Sequence, residues 1–429
     1  MLSLRYIYRL VEAFFKKFKA LIAIGVLLGL LVFFALYFVL PKAISKHERI
    51  GLVGRYSTND LSLNILSQLS MGLTKVEIDG SITPGIAKSW ETADGGKSWT
   101  FVLNNNLFWQ DGKKLTAYDL NYNFNDAKFE VVNENEVKFS LDNEFSAFPV
   151  VVSKPVFKKG LLGVGEWKVG QISLTGGFVQ RLMIAHKNSE KITYKFYPSD
   201  ERLKLAFKLG HVDTVSKLQD IDEFKNWPKI KIEREVGYNN FIGLFINTES
   251  EKFKEKEARQ AIAYSLKKDF PETERAISPI SPFSWAYNPQ VKPYNLDLEK
   301  AKKIKDMDIK IKTLPNLLKI AESIKSDLLE AGAKAEIEVV TVVPQEFDLF
   351  LATVDIPKDP DQYSLWHSTQ TGTNISKFKN PRIDKLLEDG RKELDQETRK
   401  KIYLDFQRFL VEEVPAVFLY HPNFYTVRR

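Results

Sequence analysis

The sequence has no cysteine. That absence excludes disulfides, thiolate metal sites and a cysteine nucleophile, and it removes the residue to which a lipid is attached after a signal sequence. Zero cysteine is compatible with an oxidising exterior without requiring one. Histidine is scarce: His47, His186, His211, His367 and His421 are the full set, and no two stand four apart as a helix-borne zinc pair would. No metal and no other cofactor is assigned, although His367 leaves a route to a metal-chelate ligand. There is no G-x-S-x-G elbow and no glycine-rich phosphate loop, so an enzyme reading has no motif to rest on. Past residue 40 no apolar run is long enough to span a bilayer. Low-complexity tracts and internal repeats are missing as well.

What is present begins with 429 residues, enough for two or three domains. A hydrophobic share of 44% with 27% charged residues is that of a globular protein. The formal charge is +7, but residues 1–19 carry Arg5, Arg9, Lys16, Lys17 and Lys19 against Glu12 alone. Much of the excess is therefore a tail and not a basic face, and nucleic acid is not an expected partner. Ala20 to Leu40 contains no charged residue. As a helix it would span about 30 Å, the thickness of a hydrocarbon core. The stronger basic flank lies on its N-terminal side, which predicts residues 1–19 in the cytoplasm, 20–40 as an anchor in the cell membrane and the rest extracytoplasmic. A cleaved signal is the alternative, with Ala43 and Ser45 as a small-x-small site. The apolar run exceeds the usual signal core, so an uncleaved anchor is the expectation. Leu4, Ile7, Tyr8 and Val11 also stand at helical spacing in the tail, either as an interfacial helix or as an extension of the anchor. Residues 41–49 read as a short polar stalk.

Strand patterns dominate from 50 to 245. Ser98–Leu103, Glu136–Leu141 and Lys191–Tyr197 alternate, with Asp94-Gly95-Gly96 and Asp111-Gly112 as turns. Helical spacing takes over after about 250. Ala258, Ala261, Ile262, Ser265 and Leu266 form one stripe, and Ile320, Ala321, Ile324 and Leu328 another, with Gly332 as its stop. Ala335, Ile337 and Val339 then alternate, and Phe347 to Val354 reads as a buried strand. Alternating helix and strand across 255–355 predicts an α/β lobe.

Several blocks carry a family resemblance. Ile82-Thr83-Pro84-Gly85-Ile86-Ala87-Lys88-Ser89-Trp90 leads to Trp99-Thr100-Phe101-Val102-Leu103. Phe108-Trp109-Gln110-Asp111-Gly112 and Leu115-Thr116-Ala117-Tyr118-Asp119-Leu120 follow. Gly163-Val164-Gly165-Glu166-Trp167-Lys168-Val169, Ala258 to Leu266 and Asp359-Pro360-Asp361-Gln362-Tyr363-Ser364-Leu365-Trp366-His367-Ser368 come in order behind them. Together they resemble the extracytoplasmic solute-binding proteins of peptide and nickel ABC transporters, the oligopeptide- and dipeptide-binding type known as family 5. Four features depart from that pattern: Glu166 stands where the family has proline, the segments Leu120 to Val131 and Asp269 to Ser281 are short, and a membrane helix replaces the lipid-attachment cysteine.

The resemblance implies an α/β, two-lobed periplasmic-binding-protein (clamshell) fold with an extra subdomain on lobe one, here preceded by one N-terminal transmembrane helix. Lobe one would comprise 48–240 plus 415–429, including the subdomain at about 77–150, and lobe two 241–414. The chain crossings would lie near Gly237–Leu244 and Val411–Leu419. The implied function is binding and not catalysis. A peptide would be captured between the lobes and delivered to an ABC transporter permease, by a monomer held at the membrane. A membrane-bound sensor or assembly factor on the same fold is the alternative.

The resemblance also suggests a carboxylate in the D-P-D segment for a peptide's α-ammonium, which names Asp361 first and Asp359 second. Charge-assisted hydrogen bonds in a dry cleft suit that task. Trp366 and Trp285 are candidate cleft walls. Tyr238, Asn239 and Asn240 precede the expected hinge strand, and the two asparagines have amides suited to a ligand backbone. Tyr56 is a further cleft candidate. Trp109 reads as subdomain core.

Overall fold

The computed structural model describes residues 4–35 and 47–429. Leu4–Phe34 is helical, with one break from helical backbone at Phe18. By length and composition its part Glu12–Phe34 is able to cross a membrane. Residues 36–40 of the expected anchor and 41–46 of the expected stalk lie outside the described residues.

Beyond the helix the described residues build two large sheets and two smaller ones. The first has seven strands in the order Lys231–Val236, Asn423–Arg428, Thr214–Leu218, His47–Val53, Lys191–Tyr197, Phe178–His186 and Trp167–Thr175. His47–Val53 runs parallel to both of its neighbours. Helix Asp200–Lys208, capped by the Ser199 side chain, lays Leu203 and Phe207 on one face of this sheet. Gly51 allows that approach, because a Cβ there would stand 2.4 Å from Leu203 Cδ1. The other face is covered by helix Leu63–Leu69, through Ile65, Leu66 and Leu69.

A four-stranded antiparallel subdomain is inserted in this lobe, in the order Ala87–Glu91, Ser98–Leu103, Glu136–Leu141 and Ala127–Asn133. Its core is aromatic, with Phe101, Phe139, Phe148 and Trp109 buried. The Trp109 indole donates to Asp119 at 3.1 Å, so this tryptophan is interior. A small hairpin, Thr74–Val76 with Ile82–Pro84, projects beside it.

The second sheet has six strands in the order Glu274–Arg275, Ala416–His421, Asn240–Ile246, Leu349–Asp355, Asp308–Thr313 and Lys334–Val339. Helices Lys256–Ser265, Leu318–Glu330, Pro381–Lys392 and Gln396–Glu413 pack around it. Lys334–Val339 is joined to Leu349–Asp355 by residues 340–348 without a helix, whereas parallel strands are usually joined through one. The sequence matches this bare face. Ile309 and Ile311 are buried, while the alternate residues Lys310 and Lys312 approach Glu338 at 3.8 and 3.5 Å.

The lobes are thus α/β and the chain passes between their sheets at two places, residues 237–239 and Pro422. The second crossing differs from the expected one. Ala416–His421 pairs antiparallel with Asn240–Ile246 and belongs to lobe two, so a boundary at 415 falls too early. Only Asn423–Arg428 joins the first sheet. The physical reason is burial: every residue of Ala416–His421 is interior, and Pro422, without an N–H, ends its pairing.

Candidate functional site

The crossings set the floor of the gap between the lobes. Gly237 N–H donates to the Pro422 carbonyl at 2.8 Å, and Ile356 N–H to the Asn239 carbonyl at 2.8 Å. The Tyr238 ring stands 4.7 Å from Phe283 and 5.2 Å from His421. His421 is buried, and its Nδ1 donates to the Asn240 carbonyl at 2.7 Å. Burial holds this imidazole below its ordinary pKa.

Asn240 opens one central strand and Asp355 closes its antiparallel neighbour, directly opposite. The Asn240 amide donates to the Asp355 carboxylate. Asp355 is exposed, and it has no cationic partner within ion-pair distance among the described residues. An accessible, uncompensated carboxylate at the hinge end of the gap is able to receive a cationic group. Sequence reading passed over Asp355. The available signal was a charged residue closing the apolar run from Leu349.

The two aspartates favoured from sequence sit four and six residues further on, and both already have partners. Asp359 is buried and takes a two-pronged bond from Arg399, at 2.8 and 2.5 Å. Burial disfavours the Arg399 charge, but Asp359 outweighs it and the guanidinium pKa is raised. Arg399 also donates to the Gly390 carbonyl at 2.8 Å. Asp361 accepts from Arg391 Nε at 2.9 Å and from the Tyr363 N–H at 3.0 Å. As they stand, these carboxylates tie the 355–363 segment to two helices of lobe two, and neither offers a free anion to a ligand.

The other candidates separate. Trp366 is a correction: it is 1% exposed, packed 6.0 Å from Phe245 and 6.2 Å from Phe418 in the interior of lobe two, with its indole on Gln362. Trp285 is half-buried beside the buried pair, 5.6 Å from the Arg399 guanidinium, and its backbone N–H reaches the Asp79 carbonyl of the subdomain hairpin at 2.9 Å. Tyr56 folds back within lobe one, 5.4 Å from Phe196, and lines a cavity of about 250 Å³. His367 is buried, 4.0 Å from Tyr363, and bonds Thr369 at 2.8 Å. Tyr238 and Asn240 are therefore brought together at the hinge, whereas Tyr56 and Trp366 are not. A larger cavity of about 940 Å³ lies within lobe one, between helix Leu63–Leu69 and residues 151–161. Among the described residues no three histidine or acidic side chains are grouped to hold a metal ion.

Comparison with known proteins gives a consistent answer. The family model described as "Bacterial extracellular solute-binding proteins, family 5 Middle" matches residues 81–178 and 185–375, more than half of the chain. The oligopeptide-binding protein AppA of Bacillus subtilis is 23% identical over 462 residues, covering 86% of this chain and 83% of that protein. Among solved structures, NikZ from Campylobacter jejuni in complex with Ni(L-His) superposes with a TM-score of 0.73 at 22% identity, covering 89% of this chain and 94% of that one. Bacillus subtilis AppA in complex with a nonapeptide gives a TM-score of 0.69 at 20% identity, with 90% and 95% covered.

Proposed function

The chain belongs to the bacterial extracellular solute-binding proteins of family 5, and from that premise we propose that it captures a peptide between its lobes and delivers it to an ABC permease. Members of this family bind solutes and are not enzymes. The observation that carries the peptide reading is Asp355. Its carboxylate is exposed at the hinge end of the gap, accepts from the Asn240 amide and has no cationic partner among the described residues. A peptide's α-ammonium is the matching charge, and the bond would be charge-assisted. Asn240 bonds it and Tyr238 lies two residues earlier in the same crossing, so that an amide and a ring would meet the backbone and the first side chain. The AppA nonapeptide complex supports peptide as the class, while the NikZ complex makes a metal chelate the rival to test.

Helix Leu4–Phe34 would hold the lobes at the outer membrane surface, N-terminus inside, as a single-pass monomer. Capture would then take place beside the permease and not by free diffusion.

The test is thermal unfolding of the full chain in lipid nanodiscs against pools of di- to octapeptides, with nickel chelates and oligosaccharides alongside. A ligand that binds only the folded state adds about 2.7 kcal/mol at a concentration 100-fold above its Kd. Stabilisation by peptides alone supports the reading. Stabilisation by chelates alone replaces the ligand class, and none from any pool favours a sensor or assembly role. Resistance of the chain to alkaline extraction from membranes tests the anchor.

A further inference from the structure

The subdomain belongs to lobe one by chain order, yet it touches lobe two at two places. At the first, the hairpin tip meets residues 285 and 358. Asp79 accepts the Trp285 N–H, and Gly80, with φ +85°, lies so close that a Cβ would stand 2.6 Å from the Lys358 carbonyl. At the second, the loop before helix Phe148–Val151 meets the end of helix Pro381–Lys392. Ser146 N–H donates to the Arg391 carbonyl at 2.7 Å, and the Ser146 hydroxyl to the Gly390 carbonyl at 3.4 Å. Carbonyls in the last turn of a helix have no partner inside it. Here a residue of the other lobe supplies one.

Arg391 lies at the centre of the second contact. Its guanidinium is 4.7 Å from the Phe145 ring of the subdomain and 4.2 Å from the Tyr363 ring of its own lobe, and it bonds Asp361 at 2.9 Å. A planar cation between two rings with a carboxylate at its edge has a defined orientation. Withdrawing the subdomain would strip one ring from the guanidinium and return the Arg391 carbonyl to water, while the Gly390 carbonyl would keep its bond from Arg399. Releasing Asp361 would let the guanidinium swing away from Phe145.

We propose that Arg391 is a positioning residue that couples docking of the subdomain to the 355–363 segment of the gap. The two contacts bracket that segment, so the subdomain is a working part of the clamp. The inference rests on the reading that ligand sits between the lobes.

The test exploits the missing cysteines. Val132→Cys, on an exposed subdomain strand, and Lys401→Cys, exposed on helix Gln396–Glu413, take spin labels in the full chain in nanodiscs. Their separation is read by double electron–electron resonance without ligand. The labelled parent should give one narrow distance. Arg391→Ala and Phe145→Ala should each add a longer one, with Arg391→Lys in between. Asp361→Asn, which leaves the subdomain contacts untouched, should lengthen the distance as Arg391→Ala does. An unchanged distribution in both Arg391→Ala and Phe145→Ala overturns the docking role. An unchanged distribution in Asp361→Asn overturns the coupling. Because no ligand is added, failure of every peptide pool to bind leaves this result readable.

Discussion

Gly237 donates its backbone N–H to the carbonyl of Pro422 at 2.8 Å, so the two crossings between the lobes are bonded to each other. Motion of one lobe must pass through this short pair. A Cβ at Gly237 would stand 2.4 Å from the Phe424 ring and 3.1 Å from the Pro422 carbonyl. Gly237→Ala is therefore expected to lower stability by about 1–3 kcal/mol, the range of overpacking, read as a lower denaturation midpoint.

The buried pair of Asp359 and Arg399 gives a larger effect. Removing one partner leaves the other charged and without compensation, which costs about 3–5 kcal/mol. Asp359→Ala and Arg399→Met should each destabilise in urea. The double variant should recover part of the loss, because no lone charge remains. A double variant worse than either single one would contradict this account.

Asp355 and Asp361 should separate function from stability. Asp355→Ala should keep the melting midpoint and lose the stabilisation given by peptides. Asp361→Ala should lower the midpoint by freeing Arg391, while peptides still raise it. The reverse pattern would return the anchor to the D-P-D segment.

His421 predicts a pH dependence at the hinge. Burial holds its folded pKa below the unfolded value of about 6.5. The unfolded chain then takes up the proton first, so stability contributed by His421 is present above about pH 6.5 and is lost as pH falls toward the folded pKa. His421→Gln should flatten that part of the profile, measured as urea midpoints at pH 7.5 and pH 5.

Much of the fold was legible in the sequence. Ser98–Leu103, Glu136–Leu141 and Lys191–Tyr197 are strands over those ranges because period-two alternation of aromatic and branched residues fits a half-buried pleat. The crossing at Pro422 was misplaced because an apolar run does not state which sheet will bury it. The proline that ends the run was the better mark. At the site, residue type was readable and partnership was not. The arginines that occupy Asp359 and Asp361 lie 40 and 30 residues away in the chain, on two different helices. Trp366 has the composition of either a cleft wall or a core residue, and only packing against Phe245 and Phe418 decides between them. Asp355 was hidden by its own strand, whose six preceding residues are apolar or threonine.

The place of Asn423–Arg428 has a consequence for how the molecule is made. This last strand lies between Lys231–Val236 and Thr214–Leu218 and pairs with both. A chain growing from its N-terminus holds six of the seven strands early, with Lys231–Val236 lacking its partner until residue 423 has appeared. Long-range pairing of that kind is slow. Lobe two, contiguous from Asn240 to His421, is finished before it. Of the two large sheets, the first begun is thus completed after the second, and the lobe that carries the subdomain is sealed by a strand that follows the whole of lobe two.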